Sequence, residues 1–276
     1  MIAAGLLFTV EVALVRLLAD RVTHGQILLF RAAPQVVLTL LWIAIAGGFV
    51  LLRTERLGLH LVRGTMAALS WWLYYMSFRS LDLALATTLS FSSQIFVVAL
   101  AGPMLGERIT APRVIATAIG FAGIAVAVQV WRFAALDPAV LYGITSALFG
   151  AVMVLITRSL SQTERTEVIM FFMGAIVLLS AIPQAAVGWQ PLAPADAALL
   201  CGVGLFGTIG TWFLVEAYRR AEASALAPFP YLRLIFAAIV GVLVFGEPVL
   251  PATVVGAALI ITSTLYLVLA ERRAAT

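Results

Sequence analysis

Two ionisable side chains stand inside long apolar runs of this 276-residue chain: Glu11 in LLFTVEVALV and Arg233 in FPYLRLIFAAIV. A charge in apolar surroundings persists only with a partner or beside a polar cavity. Glu11 offers a carboxylate that can take up and release a proton. Arg233 offers a planar guanidinium that holds a carboxylate through two parallel hydrogen bonds, either a ligand's or that of Glu216. A structural ion pair accounts for each residue as well. Beside these charges stands a neutral polar run: Thr87, Thr88, Ser90, Ser92, Ser93 and Gln94. Thr87, Ser90 and Gln94 are three and four apart and share one helical face. Such a face can line a cavity with groups that bind and release a zwitterion. Ser and Thr in buried helices also bond their own preceding turn.

Aromatic residues cluster in two places. Trp71, Trp72, Tyr74, Tyr75 and Phe78 form one group, and Trp212, Phe213 and Tyr218 the other. They suit either the wall of a cavity or a belt at a membrane interface. Pro228 and Pro230 in ALAPFPYLR each remove a backbone donor, which predicts a kinked or unwound segment over 226–233. Tyr231 lies within it. There is no GxxxxGK[ST] loop, no HExxH and no CxxC. His24 and His60 are placed at helix ends facing an interface, and the lone Cys201 is assigned to packing. No catalytic set, metal site or cofactor site is indicated, and an enzyme is not expected.

These residues need elements to hold them, and composition says which. Hydrophobic residues make up 63% of the chain and charged residues 11%; mean hydropathy is +1.10. Soluble domains carry about 25% charged residues, so the surroundings of this chain are the lipid bilayer. Its net charge of +4 comes from 17 basic residues, all Arg, scattered between apolar runs. That pattern sets membrane topology and argues against nucleic acid as a partner. Spanning runs of about 20 residues fall near 2–19, 26–52, 58–79, 82–104, 112–131, 138–158, 166–187, 196–218, 223–245 and 251–270. Unbroken runs such as Ile176–Ala181 exclude the alternation of a β-barrel strand. The predicted fold is all-α and polytopic, with ten transmembrane helices.

The sequence also repeats. FRSLDLALATTLSFSSQIFVVALAGPMLGER from Phe78 aligns without a gap on YRRAEASALAPFPYLRLIFAAIVGVLVFGEP from Tyr218, at an offset of 140 residues. Trp72 meets Trp212, Phe91 meets Tyr231, Ser93 meets Arg233, and Gly106–Glu107 meets Gly246–Glu247. Both Gly-Glu pairs are read as helix ends, with the Glu preceding the positive end of the next helix. Residues 1–131 and 138–276 form the two repeats. Five helices per repeat make the second enter the membrane inverted, an arrangement that transporters use to alternate access to a central site. Eleven Arg fall on one side, including Arg63 and Arg113, against five on the other, including Arg31. That bias places both termini in the cytoplasm.

The five-plus-five plan resembles the EamA type of the drug/metabolite transporter superfamily. So do the segments LDLALATTLSFSSQIFVVALAGPMLGERI, IATAIGFAGIAVAV, LFRAAP and LHLVRGTMAALSWWLYYMSFRSL. The resemblance covers nearly the whole chain. It implies a carrier of small-molecule substrates in a bacterial inner membrane, proton-coupled or facilitative, acting as a monomer. It also implies helices 1, 3, 4, 6, 8 and 9 around a central cavity. Amino-acid exporters of the YddG kind share these motifs, as do importers of larger metabolites, nucleoside-like or S-adenosylmethionine-like. An intramembrane lipid enzyme is the remaining alternative. The first expectation is export of amino acids by alternating access, with protons as the coupling ion. The candidate substrate-binding residues are Glu11, Trp72, Tyr75, Thr87, Ser90, Phe91, Gln94, Trp212, Tyr231 and Arg233, at mid-membrane depth between the two repeats.

Overall fold

A computed structural model describes residues 1–18, 21–78, 89–132, 139–246 and 250–275. Among the described residues every regular element is helical. The longer helices among the described residues are α1 (Ile2–Leu18), α2 (His24–Ala46), α3 (Leu57–Phe78), α4 (Ser93–Leu105), α5 (Ala111–Val128), α6 (Ala139–Ser161), α7 (Thr166–Ala186), α8 (Pro194–Arg220), α9 (Leu232–Phe245) and α10 (Pro251–Ala275). Six apolar helical segments are long enough to cross a membrane: His24–Ala46, Ala139–Ser161, Thr166–Ala186, Pro194–Arg220, Ala223–Phe245 and Pro251–Ala270. Leu89–Leu105 and Ala111–Ala127 are shorter apolar helices. Helix is the only option for such segments in lipid, because each satisfies its own backbone polar groups.

Local sequence explains where several helices begin and end. Thr23 and Gln26 form a reciprocal cap at the start of α2, with the Gln26 amide donating to Thr23 Oγ1 and the Thr23 amide to Gln26 Oε1 at 2.9 Å. Gly47 and Gly48 then take φ of 148° and 83° and stop α2 at Ala46. The second span is therefore shorter than the run 26–52 that hydropathy suggests, and 49–52 is a separate 3-10 turn. The repeat mates Gly106 and Gly246 end α4 and α9 in the same left-handed conformation, with φ of 69° and 64°. The proline-rich segment breaks as its sequence predicts: a single helical turn at Ala223–Leu226, a 3-10 turn at Phe229–Tyr231, and only then α9.

The chain divides into two compact units, and each unit draws helices from both repeats. The first comprises Ala3–Ala68 and Ile156–Arg220; the second comprises Leu69–Leu155 and Ala221–Thr276. In the first, α2 packs chiefly along α7 and also along α8. In the second, α5 packs chiefly along α10. Both principal pairs join a helix to its own mate at the 140-residue offset. Pro34 sits inside α2 and leaves the Phe30 carbonyl without its intrahelical donor. Gly204 of α8 lies directly against that carbonyl and the Pro34 ring, where a side chain would collide with both.

Candidate functional site

The first unit holds a buried ionic network built from three helices. Arg31 lies on the second turn of α2, Glu11 on α1 and Thr211 on α8. Arg31 is 8% exposed. Its Nε donates to Glu11 Oε1 at 3.0 Å, its Nη1 to Gln35 Oε1 at 2.8 Å, and its Nη2 to Thr211 Oγ1 at 3.1 Å. The spacing on α2 is one helical turn, so Arg31 and Gln35 share a face. Gln35 in turn donates from Nε2 to the Met170 carbonyl at 2.8 Å, which fixes its oxygen toward the guanidinium. Thr211 donates to the Gly207 carbonyl at 2.8 Å and so presents its lone pair to Arg31. Gly207 allows the close approach, since a Cβ there would stand 3.0 Å from the Glu11 carboxyl. The guanidinium is bonded on both edges, as a cation out of water requires.

Glu11 is therefore paired, and its partner is one of the five Arg on the minority side of the topology count. Arg31 is buried within α2, and Arg63, from the majority side, is buried too. Arg63 lies within α3, is among the largest fully buried side chains, and donates to Thr157 Oγ1 at 2.6 Å and the Ile169 carbonyl at 3.2 Å. His60 is also buried rather than interfacial, with its ring 4.6 Å from that of Phe172. Cys201 is exposed on α8, not packed. Glu216 bonds Thr166, Arg219 and Arg220, the last at 3.0 Å, near the end of α8.

The second unit holds a different constellation, neutral and incompletely bonded. Tyr231 is fully buried, and its ring meets Phe91 edge-on at 6.1 Å. It lies over Gly120 of α5, where any side chain would occupy the space of the ring. Thr117 is one turn before Gly120 on α5, and Gln94 one turn after Phe91, within α4. Gln94 is 7% exposed and Thr117 3%. Gln94 Nε2 donates to Ser93 Oγ at 3.2 Å. Gln94 Oε1, Thr117 Oγ1 and the Tyr231 hydroxyl have no hydrogen-bond partner among the described residues.

A polar clamp holds the broken segment that carries Tyr231. Glu107, just past the end of α4, accepts from the Ala223 and Ser224 amides at 2.7 and 2.9 Å and from the Ser224 hydroxyl at 2.6 Å. Arg113 on α5 bonds Glu222, and donates to Ser224 Oγ at 2.9 Å. Glu107 thus caps the turn beginning at Ala223, rather than the helix that follows it in sequence.

Of the sequence-derived site residues, Glu11 and Trp212 belong to the first unit, where Trp212 packs against Trp42 at 6.3 Å. Trp72, Ser90, Phe91, Gln94, Tyr231 and Arg233 belong to the second. Phe91 and Tyr231 are brought together; Ser90 and Arg233 are half-buried, and Trp72 is 54% exposed. Tyr75 lies on α3. Thr87 lies outside the described residues. Sequence reading missed Arg31, Gln35, Thr117 and Thr211. The available signal was Arg31 with Gln35 one turn later inside an apolar run.

Comparison with known proteins adds the family context. The profile of the EamA-like transporter family matches residues 1–129 and 137–269. A riboflavin transporter of Rhizobium johnstonii is 33% identical over 233 residues, covering 82% of this chain and 75% of that protein. The pseudopaline exporter CntI of Pseudomonas aeruginosa is 29% identical over 272 residues, covering 96% and 93%. An S-adenosylmethionine uptake transporter of Rickettsia conorii is 28% identical over 225 residues, covering 81% and 76%. A protein of known crystal structure superposes with a TM-score of 0.84 at 16% identity, covering 100% of this chain and 98% of that one.

Proposed function

The chain belongs to the EamA-like transporter family, and from that premise we propose that this multi-pass membrane protein exports an amino-acid-like zwitterion in exchange for protons. The observation that carries this reading is the buried Glu11–Arg31 pair, held from the sides by Gln35 and Thr211. A carboxylate and a guanidinium 3.0 Å apart are the complement of a zwitterion's ammonium and carboxylate. A cargo that enters the pair replaces one internal ion pair by two, so neither buried charge is left alone. Protonation of Glu11 would cancel the attraction for the ammonium. Cargo and proton then compete for one carboxylate, and mutually exclusive occupancy is the requirement for exchange transport.

Direction and setting complete the proposal. The Arg bias supports both termini in the cytoplasm of a bacterial inner membrane, with the chain as a monomer and the repeats 1–131 and 138–276 inverted. The near-complete match to the pseudopaline exporter supports export. A second reading, import of a larger metabolite, is favoured by the relatives named for riboflavin transport and S-adenosylmethionine uptake.

Proteoliposomes loaded with radiolabelled amino acids separate these readings. An opposing proton gradient should accelerate flux in the wild type. Glu11→Gln should abolish both that acceleration and amino-acid counterflow, because the amide mimics the protonated acid and no longer attracts the ammonium. Wild-type behaviour of Glu11→Gln in both assays would refute the role of Glu11. Acceleration by a gradient running in the same direction as the cargo would replace export by import.

A further inference from the structure

Three buried hydrogen-bonding atoms with no partner among the described residues lie on faces that converge on one ring. Thr117 shares its face of α5 with Gly120, which the Tyr231 ring covers. Gln94, in the first turn of α4, stands three residues after Phe91, which meets the same ring from another side. Leaving such an atom dry costs about 1–3 kcal/mol, and native interiors carry few of them. All three side chains are more than nine-tenths buried. By contrast Ser263, which also borders Gly120, bonds the Ile260 carbonyl at 2.9 Å and needs nothing further. Around Gly120 and Phe91 the open valences are thus those of Gln94, Thr117 and Tyr231.

We propose that these three residues form a binding subsite for an uncharged amide- or imide-bearing group. The chemistry follows from what they offer. Two hydroxyls can donate to carbonyl oxygens, and the Gln94 carbonyl can accept from an N–H. No charged side chain is among the three, so the group they fit is neutral. The edge of Phe91 and the ring of Tyr231 give the subsite aromatic walls, which favour a planar occupant. The clamp of Glu107 and Arg113 on residues 222–224 fixes the segment that presents Tyr231. The subsite rests on the reading of the chain as a small-molecule carrier, and it is independent of the chemistry assigned to Glu11.

Uracil is the probe, since its imide edge carries two carbonyls flanking an N–H and is neutral at pH 7. Equilibrium dialysis of labelled uracil against the full chain in lipid nanodiscs should show saturable binding. Thr117→Val, Tyr231→Phe and Gln94→Leu should each weaken it roughly tenfold, the worth of one hydrogen bond. 1,3-Dimethyluracil, which lacks the N–H, should fail to compete. Without ligand, Tyr231→Phe should melt at a higher temperature than the wild type, because it deletes a dry hydroxyl. Absence of saturable uracil binding, unaltered affinity in all three variants, or a lower ligand-free melting temperature for Tyr231→Phe would each overturn the subsite. Uracil binding with no amino-acid counterflow would leave the subsite standing and remove the zwitterion reading instead.

Discussion

Two loci, one in each compact unit, solve the problem of polar groups in an apolar protein in opposite ways. In the first, Arg31 has a partner on α1, on α2 and on α8, and Gln35 and Thr211 are each oriented by a further bond. In the second, Gln94, Thr117 and Tyr231 each keep a polar atom unused. The difference follows from magnitude. An unpaired ion in low dielectric costs several kcal/mol, so a charged locus must carry its own counter-ion whenever cargo is absent. An unpaired hydroxyl or amide costs about 1–3 kcal/mol, which a fold can tolerate while the site waits. Charge therefore enforces a closed, self-bonded resting arrangement, and neutral polarity permits an open one.

Removing half of the ionic network should show the largest effect. Arg31→Ala strands the Glu11 carboxylate, and the expected loss is about 3–5 kcal/mol of stability, measured by denaturant or thermal unfolding in micelles. The double variant Glu11→Leu with Arg31→Met should recover most of that loss. If it does not, the pair is secondary to the bonds from Gln35 and Thr211, and the contrast between the units weakens.

In the neutral unit the sensitive element is shape. Gly120→Ala places a methyl group in the space of the Tyr231 ring, and overpacking of this kind costs about 1–3 kcal/mol. The same unfolding assay should detect it, and loss of uracil binding should accompany it. An unchanged melting temperature would mean that Tyr231 has room to move aside.

The smallest effect belongs to the clamp. Glu107→Ala removes the acceptor from the Ala223 and Ser224 amides, a capping loss of about 0.5–2 kcal/mol. Amide exchange at residues 223–226 should rise, while the Glu11–Arg31 locus in the other unit is unaffected. Exchange rising equally at α2 would show that the two loci are not separate.

The fold was legible because its signals are local and summed over long runs: hydropathy located the helices, and Gly106, Gly246, Pro228 and Pro230 marked stops and a break that the structure shows. The networks were less legible. Arg31 was counted among the topology-setting charges because the sequence does not show its partners on α1 and α8, and the apolar run of α2 continues past Ala46 to Leu52. Only the two positive-φ glycines, a backbone property, reveal the true stop. Glu107 was expected at the following helix because a sequence shows neighbours along the chain, whereas its partners are more than 100 positions away. Thr117 carried no signal, since a lone threonine in an apolar helix reads as a residue bonded to its own turn. The contact of Phe91 with Tyr231 was not legible either, since an alignment of repeat mates says nothing of whether they touch.

Pro34 gives α2 the mechanics of two rods rather than one. The missing amide at Pro34 interrupts the ladder below the Phe30 carbonyl, and α8 packs its Gly204 backbone directly against the seam. The shorter rod begins at His24 and carries Arg31 near its far end. Bending at the seam costs less than bending an unbroken helix, and the bend swings the guanidinium as a lever swings its load. Both rods rest on α7, the shorter at Gly25 against Gln184 and Ala185 and the longer at Gln35 and Val36 against Gly174.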